Sequence, residues 1–519
     1  MDDQPIRRPA SGGGRRSLRR ELSAGFRRAL GLTALSTLLP GAGLTRTRSR
    51  AVGWALVITF LAGVAALAYL VATRGLTNVG LLIASNTRYL LLLTIVLAVG
   101  GFVWCGSIIA TAVQARPRRL DRARTRSLAI FTTLMVALVG GTAYKGAEFA
   151  LIGRDTVDVI FKASGLKPGD GAKVVNEPDV DPWRDTPRVN ILLLGSDAGV
   201  GRDGTRTDSM IVASTDTRTG RTVLISLPRN LQRVPLPETS KLRDWWPSGV
   251  YGDPRCPRQE RDPNDPCMLN AIWSEVDQYR EEHPEAYPGD EAPGRSETRD
   301  VIGEVLGLEI DHTVVVDLEG FRELINAMGG VTINVKLGGY DGKQPLPYGS
   351  QNPDGSYAHY FDTPGPMKMN GYQALWYARS RAADDDYNRM SRQRCVVQAV
   401  VDQVSPTSML AKYADVARIA RENIYTDIPA ENLSAFVELV QRIQRAGSFV
   451  SLGIDPNHGI NTGNPDYEEI RKLVQKAIDP PKPKPQPSST STPKPGSTSP
   501  TTPKPATTTT APAEVDPCL

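Results

Sequence analysis

Residues 188–197 read RVNILLLGSD, an apolar run that is closed by two turn residues and an aspartate. The mainly apolar run 189–194 is typical of a strand that is buried on both faces of a sheet. Two further strand-like runs, 210–215 and 222–227, flank the turn sequence Thr217-Arg218-Thr219-Gly220, which predicts a β-hairpin. The three runs predict the start of a β-sheet, with Asp197 just past the end of its first strand.

Segments with helical spacing follow these strands along the chain. The sequence predicts a short strand at 331–335 and helices at 298–306, 318–328, 371–378, 387–404 and 433–445. This alternation predicts an α/β domain over residues 188–479, with a central mixed sheet flanked by helices. Two stretches without such patterns, 231–266 and 336–366, are expected to form long surface loops.

The part of the chain before residue 152 is mainly apolar and is expected to form an all-α transmembrane region at 29–151. Crossing a bilayer takes about 20 apolar residues, and three runs are long enough, at about 52–73, 89–115 and 127–151. A fourth run, 29–44, is short and is broken by Leu39-Pro40-Gly41, which favours a re-entrant or interfacial segment. Residues 152–187 are polar and rich in turn residues, and they predict a stalk before the α/β domain.

Arginine is distributed unevenly along the chain of 519 residues, whose formal net charge is +5. It crowds residues 1–28, 46–50 and 116–126, whereas acidic residues concentrate after Asp155. Basic segments beside membrane spans remain on the cytoplasmic side, so three spans place the α/β domain outside the cell membrane. The pattern predicts a multi-pass membrane protein that contacts membrane lipid. No zinc-finger spacing or RNA-binding aromatic signature is present, and no nucleic-acid partner is expected.

Four of the five cysteines fall on the predicted outer side, where disulfides can form. Cys256 and Cys267 bracket a loop rich in Pro and Asp without other metal-ligand types nearby, which predicts a local disulfide. Cys395 could pair with Cys518 or could be a buried helix residue, and the sequence leaves both alternatives open.

Residues 480–519 consist mainly of Pro, Thr, Ser and Lys. Such a composition buries too little apolar surface to offset the entropy of ordering, so it predicts a disordered, extended tail. Outside the membrane, the tail is expected to contribute reach into the cell wall rather than chemistry.

The sequence disfavours several common catalytic classes. It contains no zinc-protease helix, no Gly-x-Ser-x-Gly elbow, no Walker loop and no Cys-x-x-Cys pair. Its four histidines are scattered, at positions 283, 312, 359 and 458. Serine hydrolases and histidine phosphatases are therefore disfavoured, and the candidates that remain are aspartates and arginines.

Two aspartates lie at neighbouring strand ends. Asp197 follows the first strand, and Asp208 starts the second in the sequence Arg206-Thr207-Asp208-Ser209-Met210. Paired carboxylates can share one Mg2+, or Mn2+ in its place, because these ions prefer carboxylate and phosphate oxygens. The alternative is that each aspartate caps a turn.

Arginines accompany the two aspartates. Some lie beside predicted strand ends, two are spaced two residues apart, and the last group shares one helix face with a glutamine. The arginines are Arg206, Arg229, Arg379, Arg381, Arg389 and Arg392, and the glutamine is Gln393. Several planar guanidinium groups can neutralise a pyrophosphate. The alternative is a solvated surface on which Asp384, Asp385 and Asp386 pair with the arginines.

Two predicted helices, 301–306 and 321–328, are mainly apolar. Their pattern is that of ordinary core helices. A lipid-binding slot between them is the alternative.

Taken in order, several short motifs resemble the LytR-CpsA-Psr family of cell-wall ligases over residues 190–478. The motifs are Leu193-Leu194-Gly195-Ser196-Asp197, Arg206-Thr207-Asp208-Ser209-Met210, Ser226-Leu227-Pro228-Arg229, the block 311–335 with Gly329-Gly330-Val331, Asn370-Gly371 through Arg381, and Asp386-Tyr387-Asn388-Arg389-Met390-Ser391-Arg392-Gln393. Each motif is short, and it is their order along the chain that makes the set specific. The three spans and the Pro/Thr-rich tail resemble actinobacterial members of the family.

The resemblance implies an α/β domain with a hydrophobic tunnel for a polyprenyl chain. It also implies an Mg-dependent phosphotransferase that moves a glycopolymer from polyprenyl pyrophosphate to peptidoglycan, forms a phosphodiester and releases polyprenyl phosphate.

The resemblance further implies roles for the candidate residues. Asp197 and Asp208 match the family's Mg2+-associated aspartates, and the six arginines and Gln393 given above match positions that contact the pyrophosphate. The residues implied to be catalytic are Asp197, Asp208, Arg229, Arg379 and Arg381. Asn230 stands where the family commonly has Asp, and Met268-Leu269-Asn270 replaces a segment that often carries Lys or Arg.

Two alternative functions remain for the same residues. In the first, water replaces the peptidoglycan hydroxyl as the acceptor, which makes the protein a hydrolase of the polyprenyl-pyrophosphate-linked polymer. In the second, the arginines hold an anionic polymer without turnover, which makes the protein a wall-binding or regulatory anchor. Product analysis with added peptidoglycan separates transfer from hydrolysis.

Overall fold

The computed structural model describes a chain that divides into two compact units, Met1–Asp158 and Val159–Leu519. The described residues are 13–117, 120–162, 172–175, 180–196, 207–253, 267–339, 342–405, 408–409, 412, 415–416, 418–419, 423–480 and 518. The two units are described separately below.

The first unit is entirely helical in its described part. Its helices are α1 (Gly13–Leu38), α2 (Arg50–Arg74), α3 (Leu76–Ser85), α4 (Thr87–Ala115) and α5 (Arg122–Lys162). Three stretches are long and apolar enough to cross a membrane, Arg50–Arg74, Thr87–Ala115 and Arg122–Asp155. They contain the three runs that the sequence predicts as spans.

The predicted re-entrant segment, 29–44, differs from the structure at its start. Helix α1 runs without interruption from the basic N-terminal segment to Leu38, and Pro40 follows it because proline cannot continue a helix. The last turns of α1 are bound to α4: Ser36 Oγ is 2.9 Å from Thr111 Oγ1, and Trp104 donates from Nε1 to the Ser36 carbonyl at 2.9 Å. A Cβ on Gly43 would lie 2.3 Å from the Leu32 carbonyl oxygen, so only glycine permits this close approach.

The second unit contains a six-stranded mixed sheet, which confirms the predicted fold class. The strands are β1 (Arg188–Ser196), β2 (Thr207–Asp216), β3 (Thr222–Ser226), β4 (His312–Asp317), β9 (Ile424–Thr426) and β10 (Phe449–Gly453). Their order across the sheet is β10-β3-β2-β1-β4-β9. Strands β2 and β3 form the predicted antiparallel hairpin, whereas β1 pairs with β4 in parallel.

Helices cover both faces of this sheet. One face packs on α6 (Ile272–Glu282), α7 (Pro293–Leu306) and α12 (Tyr467–Ile478) around the buried side chains of Leu192 and Leu194. The other face is covered by α8 (Leu318–Met328), α9 (Gly371–Arg379) and α10 (Asp386–Gln403). Helix α11 (Leu433–Ala446) contributes to a third core cluster around Trp183. Because successive side chains of a strand point to opposite faces, Leu193 of β1 lies on the side of α8–α10.

The predicted loop at 336–366 is wrong in part, because the structure forms two small antiparallel sheets there. One pairs β5 (Val331–Val335) with β8 (Gly365–Met369), and the other pairs β6 (Leu346–Gln351) with β7 (Tyr357–Phe361). Pro345, Pro347 and Gly349 hide the strand pattern in the sequence, and a two-stranded edge tolerates such residues at an irregular register.

Two further features bear on the predicted boundaries and disulfides. Trp183, in the predicted stalk, is fully buried and donates from Nε1 to the Ala435 carbonyl at 3.1 Å, so this part of the stalk packs into the second unit. Cys395 pairs with Cys518, which resolves the alternative that the sequence leaves open. Cys267 is disulfide-bonded, and Cys256 lies outside the described residues.

Candidate active site

Four of the predicted residues form one charged cluster around Asp386. Arg229 Nη1 lies 3.2 Å from Asp208 Oδ1, and its Nε lies 3.8 Å from Asp386 Oδ1. Arg389 contacts both Asp386 oxygens, at 3.0 and 3.1 Å, and Arg381 Nη1 lies 3.6 Å from Asp386 Oδ1. We call this set, Arg229, Arg381, Arg389, Asp208 and Asp386, the arginine cluster.

The N-terminus of α10 explains why the cluster forms. Asp385 caps the helix by accepting a hydrogen bond from the Asn388 backbone N–H at 2.9 Å. Asp386 is therefore in the first turn, where the helix dipole stabilises a carboxylate. Arg389 follows three residues later on the same face and reaches back to Asp386.

Arg389 also ties α10 to the strand that carries Asp208. Its Nη1 donates to the Asp208 carbonyl oxygen at 2.9 Å, and its side chain is almost completely buried. The Asp208 side chain remains about one-third exposed. The backbone of Asp208 is thus fixed while its carboxylate faces accessible space.

Arg392 is bound to the protein through its whole guanidinium group. Its Nε donates to the Tyr377 carbonyl at 3.0 Å, and its two Nη atoms contact the Ser380 carbonyl and the buried Asp384 carboxylate. It also lies over the Tyr377 ring, 5.8 Å from the centroid. These contacts fix the connection between α9 and α10, and the predicted contact of Arg392 with a pyrophosphate stays a prediction.

An apolar cavity of about 190 Å³ lies between the sheet and helices α8, α9 and α10. Its apolar lining includes Leu193, Ile211, Val316, Phe321, Leu375 and Val397. This differs from the alternative of a slot between helices 301–306 and 321–328, because α7 packs on the opposite face of the sheet. Helix α8 lines the cavity as that alternative requires, and its partners there are α9 and α10.

Polar groups are few in the cavity, and they include two predicted residues, Arg379 and Gln393. Gln393 Oε1 accepts a hydrogen bond from Ser209 Oγ at 3.2 Å. Arg379 is exposed at the C-terminal end of α9. Asp317 also lines the cavity and caps α8 through the Gly320 backbone N–H, and burial raises the pKa of its carboxyl.

The cavity and the arginine cluster share two elements. Ser209 lines the cavity and follows Asp208 in β2, while Gln393 lies one turn after Arg389 in α10. A close approach of β1 to β2 occurs here, where a Cβ on Gly195 would lie 3.0 Å from the Ser209 Cβ. An amphiphilic molecule bound in the cavity would therefore have its polar end close to the guanidinium groups.

The arrangement suits an anion with an apolar tail. Counting Arg379, four guanidinium groups accompany the two carboxylates of the arginine cluster. These six groups carry a net positive charge, and several guanidinium forks match phosphate oxygens. Asp197 and Arg206 lie outside the described residues, so their predicted roles stay predictions.

Sequence reasoning did not assign two of the residues that join the site. Asp386 was expected only as a salt-bridge partner in the alternative of a solvated surface, although it contacts three arginines. The sequence pattern that could have indicated its role is an acidic residue in the first turn of a helix with an arginine three residues later. Ser209 gave no signal, because its contact with Gln393 joins residues that are distant in sequence.

The metal-binding capacity of the described part is limited. Among the described residues there is no group of three or more His, Cys, Asp or Glu side chains that could hold a metal ion. Asp208 offers one partly exposed carboxylate, of which Oδ1 contacts Arg229. This fits Mg2+, which binds proteins through one or two carboxylates and completes its coordination with water or substrate phosphate.

Residues 166–448 match the sequence profile of the LytR_cpsA_psr family. The chain belongs to the LytR-CpsA-Psr family. A LytR-CpsA-Psr relative from Bacillus subtilis strain 168, polyisoprenyl-teichoic acid–peptidoglycan teichoic acid transferase TagV, is 26% identical over 366 residues, which are 68% of this chain and 78% of the relative. The transferase TagU of Enterococcus faecalis is 26% identical over 299 residues, which are 55% of this chain and 78% of that protein. The crystal structure of Bacillus subtilis TagV is 24% identical, covers 56% of this chain and 97% of its own, and has a TM-score of 0.37.

Proposed function

We propose that this LytR-CpsA-Psr protein transfers a glycopolymer from a polyprenyl-pyrophosphate carrier to peptidoglycan. The observation that carries the proposal is the apolar cavity of about 190 Å³ with Arg379 and Gln393 in its lining, beside the arginine cluster. The names of the relatives support it, because TagV and TagU are named as transferases of teichoic acid from a polyisoprenyl carrier to peptidoglycan.

The apolar cavity and the arginine cluster bind different parts of the carrier. The cavity takes part of the polyprenyl chain, because its lining is mainly aliphatic and aromatic. The pyrophosphate lies against Arg379 and the arginine cluster, whose guanidinium groups bind its oxygens. Asp386 keeps the guanidinium groups of Arg229, Arg381 and Arg389 close together despite their like charge.

The reaction is a displacement at phosphorus. A hydroxyl of a peptidoglycan sugar attacks the phosphorus that carries the glycopolymer and forms a new P–O bond. The bond from that phosphorus to the bridging oxygen breaks, polyprenyl phosphate leaves, and the hydroxyl proton passes to a carboxylate of the site. The arginines stabilise the charge that develops on the leaving phosphate, which is the main contribution expected of a protein in phosphoryl transfer.

A magnesium ion is part of the proposal. Asp208 would hold it through its partly exposed carboxylate, and Asp197, outside the described residues, is the predicted second ligand. Mg2+, or Mn2+ in its place, would supply positive charge to the pyrophosphate oxygens.

The proposed location is the cell membrane, with several spans and an extracytoplasmic α/β domain. Support comes from the three helices that are long and apolar enough to cross a membrane. The arginine-rich segments 46–50 and 116–126 lie at ends of these helices, which favours a cytoplasmic position for both segments.

Product analysis tests this function. The full chain in detergent or nanodiscs is incubated with a defined polyprenyl-pyrophosphate-linked glycopolymer and peptidoglycan, and the products are analysed by mass spectrometry. We expect a phosphodiester between polymer and peptidoglycan, which Asp208→Ala loses. The control Asp362→Ala, at an exposed position just after β7, should retain it. Free phosphorylated polymer as the sole product would indicate a hydrolase, and no turnover would indicate a binding anchor.

A further inference from the structure

A row of aromatic side chains lies beside the candidate site and has no part in the chemistry proposed above. We call the surface formed by Tyr348, His359, Tyr372 and Trp376 the aromatic face. Tyr348 of β6 and His359 of β7 are stacked across the hairpin, with ring centroids 5.2 Å apart. Tyr372 and Trp376 lie one turn apart on α9, with centroids 6.2 Å apart.

The two pairs of rings meet at Gly349. A Cβ added to this glycine would lie 3.3 Å from Tyr372 Oη and 3.5 Å from His359 Cδ2. The φ of Gly349 is +87°, which other residues rarely adopt. The hairpin and α9 are therefore in contact here, and the four rings form one surface.

The aromatic face continues to the cavity along α9. Tyr372, Trp376 and Arg379 are at positions i, i+4 and i+7, so they share one stripe of the helix. Ala374 and Tyr377, on another side of α9, are buried in the core. The helical rise places Arg379, which lines the cavity, about 10 Å along the axis from Tyr372.

The exposure and charge of this surface favour an uncharged sugar chain as its ligand. Tyr372 is 40% exposed and His359 is also exposed, whereas Tyr348 and Trp376 are half-buried. Exposed aromatic rings offer an apolar face next to polar atoms, which matches a sugar ring with its C–H face and its hydroxyls. Residues 342–363 carry one lysine and two aspartates, so this hairpin lacks the positive charge that would attract a polyanion.

We propose that the aromatic face binds the glycan strand of peptidoglycan and directs an acceptor hydroxyl towards the cavity mouth. The proposal rests on the transfer reaction proposed above, because that reaction needs a place for a wall glycan beside the pyrophosphate. The uncharged sugar backbone of the acceptor fits this face, and the anionic end of the donor fits the arginines.

Sedimentation with insoluble peptidoglycan tests the proposal. The full chain in detergent is mixed with purified sacculi from which attached polymers have been removed, and the bound fraction is measured. The double variant Tyr372→Ala/Trp376→Ala should bind roughly tenfold more weakly, as expected when central aromatic contacts are removed. Tyr360→Ala is the matched control, because Tyr360 is 43% exposed on the opposite face of β7. This variant should bind sacculi as the wild type does.

Two outcomes would overturn the proposal. In the first, the double variant binds sacculi as well as the wild type does. In the second, the double variant keeps sacculus binding but loses binding to soluble poly(glycerol phosphate), which would assign the face to an anionic polymer. The pair Tyr372→Leu/Trp376→Leu, which keeps apolar bulk without the rings, repeats the test in case the alanine variant fails to fold.

Transfer is measured separately, so the two proposals fail in different ways. If the wild type forms the phosphodiester and sacculus binding does not depend on the aromatic face, the glycan proposal alone is overturned. Ring-dependent sacculus binding without any phosphodiester would contradict the proposed function and support the face as a glycan-binding surface.

Discussion

Asp386 is the side chain that connects the largest number of charged groups in the candidate site. It lies within ion-pair distance of Arg229, Arg381 and Arg389, and it occupies the first turn of α10. The helix N-terminus stabilises its carboxylate, and the carboxylate in turn reduces the repulsion among the three arginines. Its charge therefore controls the positions of the groups proposed to bind the pyrophosphate.

Asp386→Asn should lower both stability and transfer. The substitution leaves the nearly buried Arg389 guanidinium without its paired charge, which should reduce the free energy of unfolding by about 1–3 kcal/mol. Chemical denaturation of the full chain measures this change. Asp362→Asn, at an exposed position just after β7, is the control and should change neither quantity. Wild-type stability and transfer in Asp386→Asn would contradict the assignment.

Two arginines at the same end of the site should behave differently. Arg379→Ala removes an exposed cavity-lining charge, so transfer should fall by about 100-fold with little change in stability. Arg392→Ala leaves the buried Asp384 carboxylate unpaired, so it should cost about 3–5 kcal/mol of stability. Thermal unfolding and transfer assays on both variants distinguish the roles. A fully stable but inactive Arg392→Ala protein would instead make Arg392 a substrate-binding residue.

The residues of the site could be predicted only in part. Strand ends and helical spacing indicated Asp208, Arg229, Arg379, Arg381, Arg389 and Gln393, which the structure places at the cavity or in the arginine cluster. Spacing could not show that the Arg392 guanidinium is bound by two carbonyls and Asp384, because those contacts depend on the path of the α9–α10 connection.

At the scale of elements, the position of α9 depends on its close contact with α8. Asn370 caps α9, and a capping box with Gln373 starts the helix. The next residue is Gly371, where a Cβ would lie 1.9 Å from the Arg322 carbonyl oxygen of α8. This contact fixes the helix that carries both Arg379 and two rings of the aromatic face.

Gly371→Ala should displace α9 and weaken the fold. The added methyl group cannot fit against the backbone of α8, and such overpacking typically costs about 1–3 kcal/mol. Gly463→Ala is the control, because its Cβ would meet only the Asn461 side chain, at 3.5 Å. Denaturant unfolding and transfer should both change in the first variant and remain unchanged in the second. Equal stability of the two variants would contradict the packing described here.

Regular elements were predictable where local pattern and end signals agree. Helix α8 and strand β5 have the predicted bounds, because Asp317 caps the helix and Gly329-Gly330 separates the two elements. The hairpin β6–β7 was missed, because Pro347 and Gly349 break the alternation on which a strand prediction depends. Its position is fixed instead by packing, as Phe361 stacks on Tyr348 with centroids 4.4 Å apart.

In the molecule as a whole, the disulfide between Cys395 and Cys518 joins two distant parts of the sequence, and one of them is helix α10 of the candidate site. Cys395 lies in α10, two residues after Gln393, and the sequence separation of the bond is 123 residues. Cys518 is therefore covalently bound to α10. The predicted disorder of residues 480–519 stays a prediction, because almost all of this segment lies outside the described residues.

Cys518→Ser should destabilise the second unit while its fold is retained. A cross-link of this length removes chain entropy from the unfolded state worth about 5 kcal/mol in the entropy model, and removal of native disulfides typically costs about 2–5 kcal/mol. Denaturant unfolding of the full chain without reductant measures the loss. Cys105→Ser, which removes a free thiol in the first unit, should leave the second unit unchanged. Identical unfolding of Cys518→Ser and wild type would contradict the pairing.

The proposed function requires the apolar cavity and the arginine cluster to bind a single lipid-linked pyrophosphate. Photo-crosslinking tests it most directly: a polyprenyl pyrophosphate analogue with a photoreactive group in its chain is bound to the full protein, irradiated and mapped by mass spectrometry. We expect labels on cavity residues such as Phe321, Leu375 and Val397, and we expect this labelling to be lost when unlabelled polyprenyl pyrophosphate competes. Labels confined to other surfaces would contradict the proposed function. Cavity labelling that persists in the presence of the competitor would contradict it as well.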